Sequence, residues 1–185
     1  NVSLILGDNF FYGQSLSEKL KKMHKLKKGA SIFIHPVNNP SRFGIATLSK
    51  GKIVKLVEKP KKTKSNLAVT GLYFFDNSVT EKVLKLKKSK RKELEIIDLL
   101  NLYVKKNLLK VEYLGRGAAW LDAGTIEDLN QTSTFVSSIE KRQGLKVACL
   151  EEIALLNKWI NKKDIARAVS FYGNCEYSRY LKSLI

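Results

Sequence analysis

Two aspartates stand where they could hold a metal ion beside a phosphate. Asp8 follows the apolar run of residues 2–6, and Asp122 follows the apolar residues 120–121. Ligands of open α/β sheets bind at the carboxyl ends of strands, and magnesium is held by one or two carboxylates together with substrate oxygens. The two aspartates could therefore converge on one cation, although each could also do no more than close a turn.

Two basic side chains could neutralise the oxygens of such a phosphate. Lys59 precedes Pro60, and a proline biases the residue before it toward extended backbone, so we expect Lys59 to project its ammonium as a fixed point charge. Arg91 comes just before a predicted helix, and a guanidinium can grip a phosphate with two donors. The alternatives are a charged strand end closed by a proline and a solvated arginine.

Gly71 interrupts an apolar strand, residues 68–75, that is rich in β-branched and aromatic side chains. It lacks a side chain where one would normally pack. Either the strand bulges there or a ligand approaches its backbone closely, and the sequence is equally compatible with both.

Several other chemistries are disfavoured by the sequence. Cys149 and Cys175 belong to no paired spacing, so neither a disulfide framework nor a zinc site is indicated. His24 and His35 show no metal-ligand spacing, and we expect both to be structural. The nucleophile elbow, the P-loop, the paired-histidine zinc motif and the dinucleotide fingerprint do not occur in the sequence.

The elements that must position these residues alternate between strand and helix. Apolar runs predict strands at residues 2–6, 30–35, 44–48, 53–57, 68–75 and 109–114, and helical spacing predicts helices around residues 16–24, 79–86, 96–104 and 125–142, with helices alone from residue 151 onward. The first strand is predicted to be buried on both faces inside a parallel sheet, whereas Lys50-Gly51 indicates an antiparallel hairpin. We therefore predict an α/β fold with a mixed sheet flanked by helices. Residues 1–146 are expected to form the binding domain and residues 147–185 a helical extension packed on it.

The strong positive charge of the chain is its most unusual bulk property. The net charge of +17 predicts attraction to polyanions, and the lysine clusters are Lys21-Lys22, residues 25–28, residues 61–64 and residues 85–92. These clusters lack the interleaved aromatics of a single-strand groove, which favours a solvated surface over a nucleic-acid site. No apolar stretch reaches the roughly 20 residues of a membrane helix, and no leader is recognisable, so we expect a soluble, cytoplasmic protein.

Short motifs follow one another along most of the chain in a characteristic order. They are Leu6-Gly7-Asp8-Asn9-Phe10-Phe11-Tyr12-Gly13, Arg42-Phe43-Gly44, Val57-Glu58-Lys59-Pro60, Lys64-Ser65-Asn66, Val69-Thr70-Gly71-Leu72-Tyr73, Glu93-Leu94-Glu95-Ile96, Gly115-Arg116-Gly117, Trp120-Leu121-Asp122-Ala123-Gly124-Thr125 and Ile139-Glu140-Lys141-Arg142-Gln143-Gly144-Leu145-Lys146. This ordered set resembles the sugar nucleotidyltransferases, and the last motif favours the glucose-1-phosphate thymidylyltransferases among them.

The resemblance implies a Rossmann-like enzyme in which the phosphate of glucose 1-phosphate attacks the α-phosphorus of dTTP, giving dTDP-glucose and pyrophosphate for dTDP-rhamnose and polysaccharide biosynthesis. Asp8 and Asp122 match the family's Mg²⁺ ligands, and Lys59 and Arg91 match cations that hold the sugar phosphate. These four are the catalytic residues that the resemblance implies, since such transfers rely on positioning and charge neutralisation. The further substrate-binding positions are Asn9, Gly44, Glu58, Val69, Gly71, Tyr73 and Trp120.

The chain also departs from the family pattern. The family's glycine-rich nucleotide loop, Gly-x-Gly-Thr-Arg-Leu, has no counterpart in the 185 residues, so we expect it to precede Asn1 together with part of the sheet, and we expect little turnover by this chain alone. Phe43, Lys92 and Ala123 stand where tyrosine, glycine and threonine are usual. For the complete protein the resemblance implies a homotetramer. The alternative function is a basic nucleic-acid-binding or scaffold domain that keeps the fold without catalysis.

Overall fold

Strands and helices alternate along the chain in the computed structural model, which describes residues 1–89 and 91–185. The strands are β1 (Val2–Ile5), β2 (Asn9–Gly13), β3 (Ala30–Pro36), β4 (Ile45–Ser49), β5 (Lys52–Val57), β6 (Leu67–Phe75), β7 (Leu109–Tyr113) and β8 (Ala118–Asp122). The α-helices are α1 (Leu16–His24), α2 (Val79–Val83), α3 (Ile96–Lys105), α4 (Ile126–Gln143), α5 (Leu150–Leu156), α6 (Lys162–Tyr172) and α7 (Glu176–Lys182). The predicted α/β class is confirmed.

The main sheet is mixed, as the hairpin signal predicted. Its strands run in the order β5-β4-β6-β3-β7, and β1 also pairs with β6. β3 and β7 are parallel, whereas β4 and β5 form an antiparallel hairpin. That hairpin turns at Lys50 and Gly51, whose φ angles of 48° and 75° are both positive, as a tight turn between twisted strands requires.

Helices cover both faces of the sheet, and the central strand β6 packs against both layers. Successive side chains of β6 point in opposite directions, so each face of the strand meets a different helix. Leu72 and Phe74 pack in one apolar cluster with Met23 of α1. Tyr73 and Phe75 pack in another, which contains the buried residues of α3. The central strand therefore contributes to two cores, which is why large apolar residues occur on both of its faces.

The backbone of β6 is irregular at its centre. Ile32 of β3 pairs with Tyr73, and Ile34 of β3 pairs with Val69, so the segment from Ile32 to Ile34 lies opposite a longer segment of β6. Gly71 lies within that longer segment. The bulge that was one interpretation of Gly71 is therefore present in the sheet.

The prediction for the first strand is wrong in two respects. β1 pairs antiparallel with β6, from Val2 opposite Phe75 to Ile5 opposite Leu72, rather than lying in a parallel sheet. Its residues are exposed, Ile5 by 56%. An apolar run specifies a strand, but its direction and covering depend on tertiary partners that the run itself does not encode.

A second, two-stranded sheet is present that was not predicted from the sequence. β2 and β8 pair antiparallel, with Asn9 opposite Asp122 and Gly13 opposite Ala118. A Cβ atom at Gly13 would lie 2.7 Å from the Cα of Ala118, so glycine allows the strands to approach at this end. The pairing matters because it starts at the predicted metal ligands.

The chain divides into two compact units, Asn1–Gly124 and Thr125–Ile185. The second unit is helical, and Thr125 caps the N-terminus of α4, because its side-chain oxygen accepts a hydrogen bond from the backbone N–H of Asp128 at 3.1 Å. Helices α5 to α7 pack around Cys149, Ile165 and Leu181. The division into functional domains after residue 146 stays a prediction.

None of the helices in residues 1–89 and 91–185 combines the length and the apolarity needed to cross a membrane.

Candidate active site

The β2–β8 pairing brings the two predicted metal ligands together. Because Asn9 lies opposite Asp122 in the antiparallel ladder, Asp8 is placed directly beside that end of β8. The carbonyl oxygen of Asp8 accepts a hydrogen bond from the N–H of Ala123 at 2.8 Å, which extends the ladder past the ends of both strands. The convergence of Asp8 and Asp122 follows from this local register.

The Asn9 side chain joins the two carboxylates. Its amide nitrogen donates to Oδ1 of Asp8 at 3.0 Å and to Oδ1 of Asp122 at 3.1 Å. Its amide oxygen accepts from the backbone N–H of Gly71 at 3.0 Å and from Nε1 of Trp120 at 2.6 Å. Gly71 and Trp120 offer only donors and ionised carboxylates only accept, so the orientation of the amide is unambiguous.

The two carboxylates face a common space beside Gly124. A Cβ atom at Gly124 would lie 3.7 Å from Oδ2 of Asp122, 3.8 Å from Oδ2 of Asp8 and 3.9 Å from Oδ1 of Asp122. Among the described residues, no cluster of three or more Asp, Glu, His or Cys side chains is placed to hold a metal. Two carboxylates are nevertheless the protein donors that Mg²⁺ ordinarily takes, since substrate oxygens and water complete its octahedron. The donor set therefore fits magnesium.

Gly71 is required by the side chain of Asn9. A Cβ atom there would lie 2.5 Å from Oδ1 and 2.6 Å from Cγ of Asn9, closer than non-bonded atoms approach. Both predictions for this glycine are therefore met in part. The strand is irregular at Gly71, and a polar group approaches the Gly71 backbone closely. That group belongs to the chain itself.

A second cluster forms around Glu58. Arg91 lies 3.6 Å from it between Nη1 and Oε1, and the same guanidinium contacts Glu93 at 2.9 Å and Glu95 at 3.7 Å. Burial, followed by the negative charge of Glu95, raises the pKa of Glu58, and the charges of Lys59 and Arg91 oppose this rise. Arg91 is thus 46% exposed and is engaged by three carboxylates.

Lys59 does not adopt the predicted extended backbone. Its φ is +39°, in the left-handed region, and its N–H donates to the carbonyl oxygen of Phe43 at 3.1 Å. That contact requires the chain to bend after β5, which overrides the bias imposed by Pro60. A non-glycine residue in this region costs about 1–2 kcal/mol, so the bend stores strain beside Glu58.

Gly44 lies against the Glu58 cluster. A Cβ atom at Gly44 would lie 2.5 Å from Cδ1 of Ile97 and 3.2 Å from Oε2 of Glu58, which leaves no room for a side chain. Its carbonyl oxygen accepts from the N–H of Val69 at 2.8 Å, so β6 holds this glycine in place. Gly44, Glu58 and Val69, three of the predicted sugar-binding positions, are therefore neighbours.

Tyr73 lies between the two clusters. It is buried, and burial together with the negative charges of Glu58 and Asp122 raises the pKa of its hydroxyl well above the usual range. The hydroxyl stays protonated at neutral pH and can act as a donor. One carboxylate from each cluster therefore lies near enough to Tyr73 to act on its hydroxyl.

Aromatic contacts link the clusters on another side, and the sequence analysis did not foresee them. The rings of Phe43 and Trp120 lie 5.1 Å apart, and His35 meets Trp120 edge-on at 6.4 Å. Nδ1 of His35 is buried and has no hydrogen-bond partner among the described residues. The only signal for Phe43 was its place in the Arg42-Phe43-Gly44 motif, and for His35 no signal was available.

Comparison with known proteins identifies the family. The family model for nucleotidyl transferases matches residues 1–139. This chain belongs to that family. All the predicted site residues lie within the matched part, so the nucleotidyl transferase match covers both clusters.

The curated relatives of this nucleotidyl transferase chain are named glucose-1-phosphate thymidylyltransferase. That of Neisseria meningitidis is 44% identical over 100% of the chain, which spans 65% of the relative. That of Mycobacterium tuberculosis is 42% identical over 100% of the chain and 64% of the relative, and that of Xanthomonas campestris is 42% identical over 98% and 62%. The chain thus spans a little under two thirds of the length of these relatives.

Solved structures agree on the nucleotidyl transferase fold. A crystal structure from Bacillus anthracis, described as a glucose-1-phosphate thymidylyltransferase in complex with sucrose, superposes with a TM-score of 0.64 at 37% identity, covering 72% of this chain and 53% of the other. A UDP-glucose pyrophosphorylase superposes with a TM-score of 0.60 at 22% identity, covering 74% and 56%, and at that identity it supports the fold alone.

Proposed function

We propose that this chain carries the metal- and sugar-binding side of a glucose-1-phosphate thymidylyltransferase, which forms dTDP-glucose and pyrophosphate from dTTP and glucose 1-phosphate. The observation that carries the proposal is the convergence of Asp8 and Asp122 on one amide nitrogen, next to the cluster around Glu58. The shared name of the curated relatives supports the choice of nucleotide and sugar. A cytoplasmic setting, a role in dTDP-rhamnose synthesis and a homotetramer of the complete protein belong to the same proposal.

Asp8 and Asp122 would hold a Mg²⁺ ion, which when bound neutralises charge on phosphate oxygens. Glu58 accepts hydrogen bonds from sugar hydroxyls, and Tyr73 keeps a proton to donate. Lys59 and Arg91 attract the sugar phosphate. The attacking group is a phosphate oxygen, which is already anionic at neutral pH because the second pKa of a phosphate ester is about 6. The chain therefore needs to supply positioning and charge compensation rather than a general base.

Arg91 must change partners for this function. Its guanidinium now contacts Glu58, Glu93 and Glu95. A doubly charged phosphate competes with these carboxylates because it offers a planar guanidinium two or more strong acceptors. When Arg91 turns to the phosphate, the Oε1 atom of Glu58 becomes available to the sugar, so binding of the two halves of glucose 1-phosphate is coupled.

The test measures binding and turnover separately. We expect glucose 1-phosphate to bind this chain, as followed by calorimetric titration, and Glu58→Gln to weaken that binding, while Glu81→Gln on the exposed face of α2 leaves it unchanged. With dTTP, glucose 1-phosphate and Mg²⁺ we expect little pyrophosphate, because the 185 residues contain no Gly-x-Gly-Thr-Arg-Leu loop. Pyrophosphate release at a rate typical of enzymes would refute that part of the proposal.

A chimera tests the catalytic assignment. When the chain is joined to a segment that carries a Gly-x-Gly-Thr-Arg-Leu loop, we expect turnover to rise. Asp122→Asn in that chimera should abolish it, and Glu81→Gln should not. A chimera that binds both substrates and keeps its activity after Asp122→Asn would exclude Asp122 as a catalytic residue.

A further inference from the structure

We infer that Asn9 is a positioning residue whose amide holds Asp8 and Asp122 at the separation that a shared divalent cation needs. The inference rests on the proposed function, because it takes the two aspartates as the cation's protein ligands. It assigns to Asn9 a role other than the substrate contact that the family resemblance implies.

The amide counters the repulsion between the two carboxylates. Like charges this close destabilise each other unless a cation or a donor lies between them. The amide nitrogen of Asn9 has two hydrogens, and it donates one toward Asp8 and one toward Asp122, at 3.0 and 3.1 Å. One side chain thus sets the distance between both acids before a cation arrives.

The opposite end of the amide fixes its orientation. The oxygen accepts from Gly71 and from Trp120, and neither of these donors can accept in return. The absence of a side chain at Gly71 provides the space, since a Cβ atom there would lie 2.5 Å from the amide oxygen. Rotation by half a turn would break all four hydrogen bonds and set the oxygen against two carboxylates.

The same geometry argues against a direct role of Asn9 on the cation. Proteins bind hard cations through the oxygen of an asparagine, and that oxygen faces Gly71 and Trp120. The nitrogen donates to the Oδ1 atoms of both aspartates, and the Oδ2 atom of each lies near Gly124, as does Oδ1 of Asp122. The amide of Asn9 thus contacts both carboxylates and offers no oxygen to the cation.

Mn²⁺ binding tests the inference without any turnover. The chain has two tryptophans, and Trp159 is 74% exposed, so a Trp159→Phe background leaves Trp120 as the fluorescent reporter beside Asn9. We expect Mn²⁺ to quench Trp120 saturably, and electron paramagnetic resonance of free Mn²⁺ to give the same dissociation constant. Removal of groups that orient metal ligands typically weakens binding by about 10- to 100-fold, so Asn9→Leu should raise the constant roughly 10-fold or more.

Asn9→Leu is close to isosteric and fills the space beside Gly71 without donating. The matched control is Asn101→Leu, which removes a different amide, one that donates to the carbonyl oxygen of Leu56 at 3.2 Å. We expect that control to lower the unfolding midpoint and to leave the Mn²⁺ constant unchanged. A second variant, Trp120→Phe, keeps an aromatic ring but removes the indole N–H together with part of the ring system, and paramagnetic resonance should show Mn²⁺ binding weakened at least about 3-fold.

The outcomes separate the inference from the proposed function. If folded Asn9→Leu, or folded Trp120→Phe, binds Mn²⁺ as tightly as the parent chain, the positioning role is refuted while the cation site stands. If Asp8→Asn and Asp122→Asn leave Mn²⁺ binding unchanged, the aspartates are not the ligands and the proposed function loses its central observation. Absence of saturable Mn²⁺ binding by the parent chain would also overturn the inference.

Discussion

Single residues in this chain are constrained by contacts that their immediate neighbours in sequence do not reveal. Gly71 shows this most directly, since its missing Cβ leaves room for the amide of Asn9, which lies 62 residues earlier. The glycine and the asparagine form one packing unit, and a change at either affects the carboxylates.

Gly71→Ala should therefore loosen the site. The added methyl would lie 2.5 Å from Oδ1 of Asn9, well inside van der Waals contact, and would force that side chain away. We expect this to lower the free energy of unfolding by about 1–3 kcal/mol. Chemical denaturation measures this cost. Gly117→Ala is the matched control, since a Cβ atom there meets nothing within 4 Å. An equal effect of the two variants would contradict the packing described for Gly71.

Glu58 should make the stability of the chain depend on pH in a defined direction. Its pKa is raised above the usual value of 4.5, so the folded chain binds its proton more tightly than the unfolded chain does. Stability from this group is present at low pH and is lost as pH rises from about 4.5 through the raised pKa. Glu58→Gln should therefore become more favourable relative to the parent chain over that window, as measured by denaturation at several pH values. An opposite trend for Glu58→Gln would mean that the pKa of Glu58 is lowered.

At the scale of elements, the site is built where strands end or bend. The turn after β5 carries Lys59 with a φ of +39°, and the hairpin turn carries Lys50 with a φ of +48°. The two lysines share the same backbone strain, but only Lys59 lies beside the Glu58 cluster. Comparing variants at Lys59 and Lys50 therefore separates the effect of backbone strain from the effect of the lysine charge.

Lys59→Gly and Lys50→Gly should have similar effects on stability and different effects on binding. Each relieves roughly 1–2 kcal/mol of strain and adds about 0.5–1 kcal/mol of entropy cost, so stability should hold or rise slightly. Lys59→Gly should weaken glucose 1-phosphate binding in calorimetric titration, because the proposed function uses the charge of Lys59 to attract the sugar phosphate. If Lys50→Gly weakens binding as much, Lys59 has no specific role in holding phosphate.

Many of the strands, helices and turns could be predicted from the sequence, and the wrong predictions have physical causes. The sequence predicted three features correctly: the hairpin at Lys50-Gly51, the amphipathic α3 and the capped start of α4. It could do so because turn residues, helical spacing and caps depend on only a few neighbouring positions. The convergence of Asp8 and Asp122 could be anticipated from their places after apolar runs. The role of Asn9 could not, because its partners Gly71 and Trp120 come from strands far away in sequence. The backbone of Lys59 was wrongly predicted because a contact with Phe43 outweighs the preference set by Pro60.

At the scale of the whole molecule, the charge of +17 is the property least explained by the site. Of the lysines on which a nucleic-acid-binding function would depend, Lys87 and Lys88 lie outside helices and strands, and Lys90 lies outside the described residues. The absence of a nucleic-acid function stays a prediction.

We expect weak association with duplex DNA that disappears at moderate salt. Binding that rests on phosphate contacts alone falls by about 10³- to 10⁵-fold between 50 and 200 mM salt when 6–10 contacts are made. Fluorescence anisotropy at the two salt concentrations measures this. Tight binding at 200 mM salt that is lost when Lys87 and Lys88 are changed to alanine would favour the nucleic-acid alternative.

The pairing of β2 with β8 also has a consequence for the order in which the chain folds. Asn9 and Asp122 are 113 residues apart, whereas β4 and β5 are joined by a turn of two residues. Closing a long loop costs more entropy than closing a short one, and contacts between distant segments generally form late. The hairpin can form while the chain is still open, but the two aspartates meet only after nearly all of the first unit has collapsed. In native-state hydrogen exchange, the amides of β2 and β8 should therefore open before those of β3 and β6, and a nascent or clipped chain would keep its hydrophobic core while losing the juxtaposition of Asp8 and Asp122.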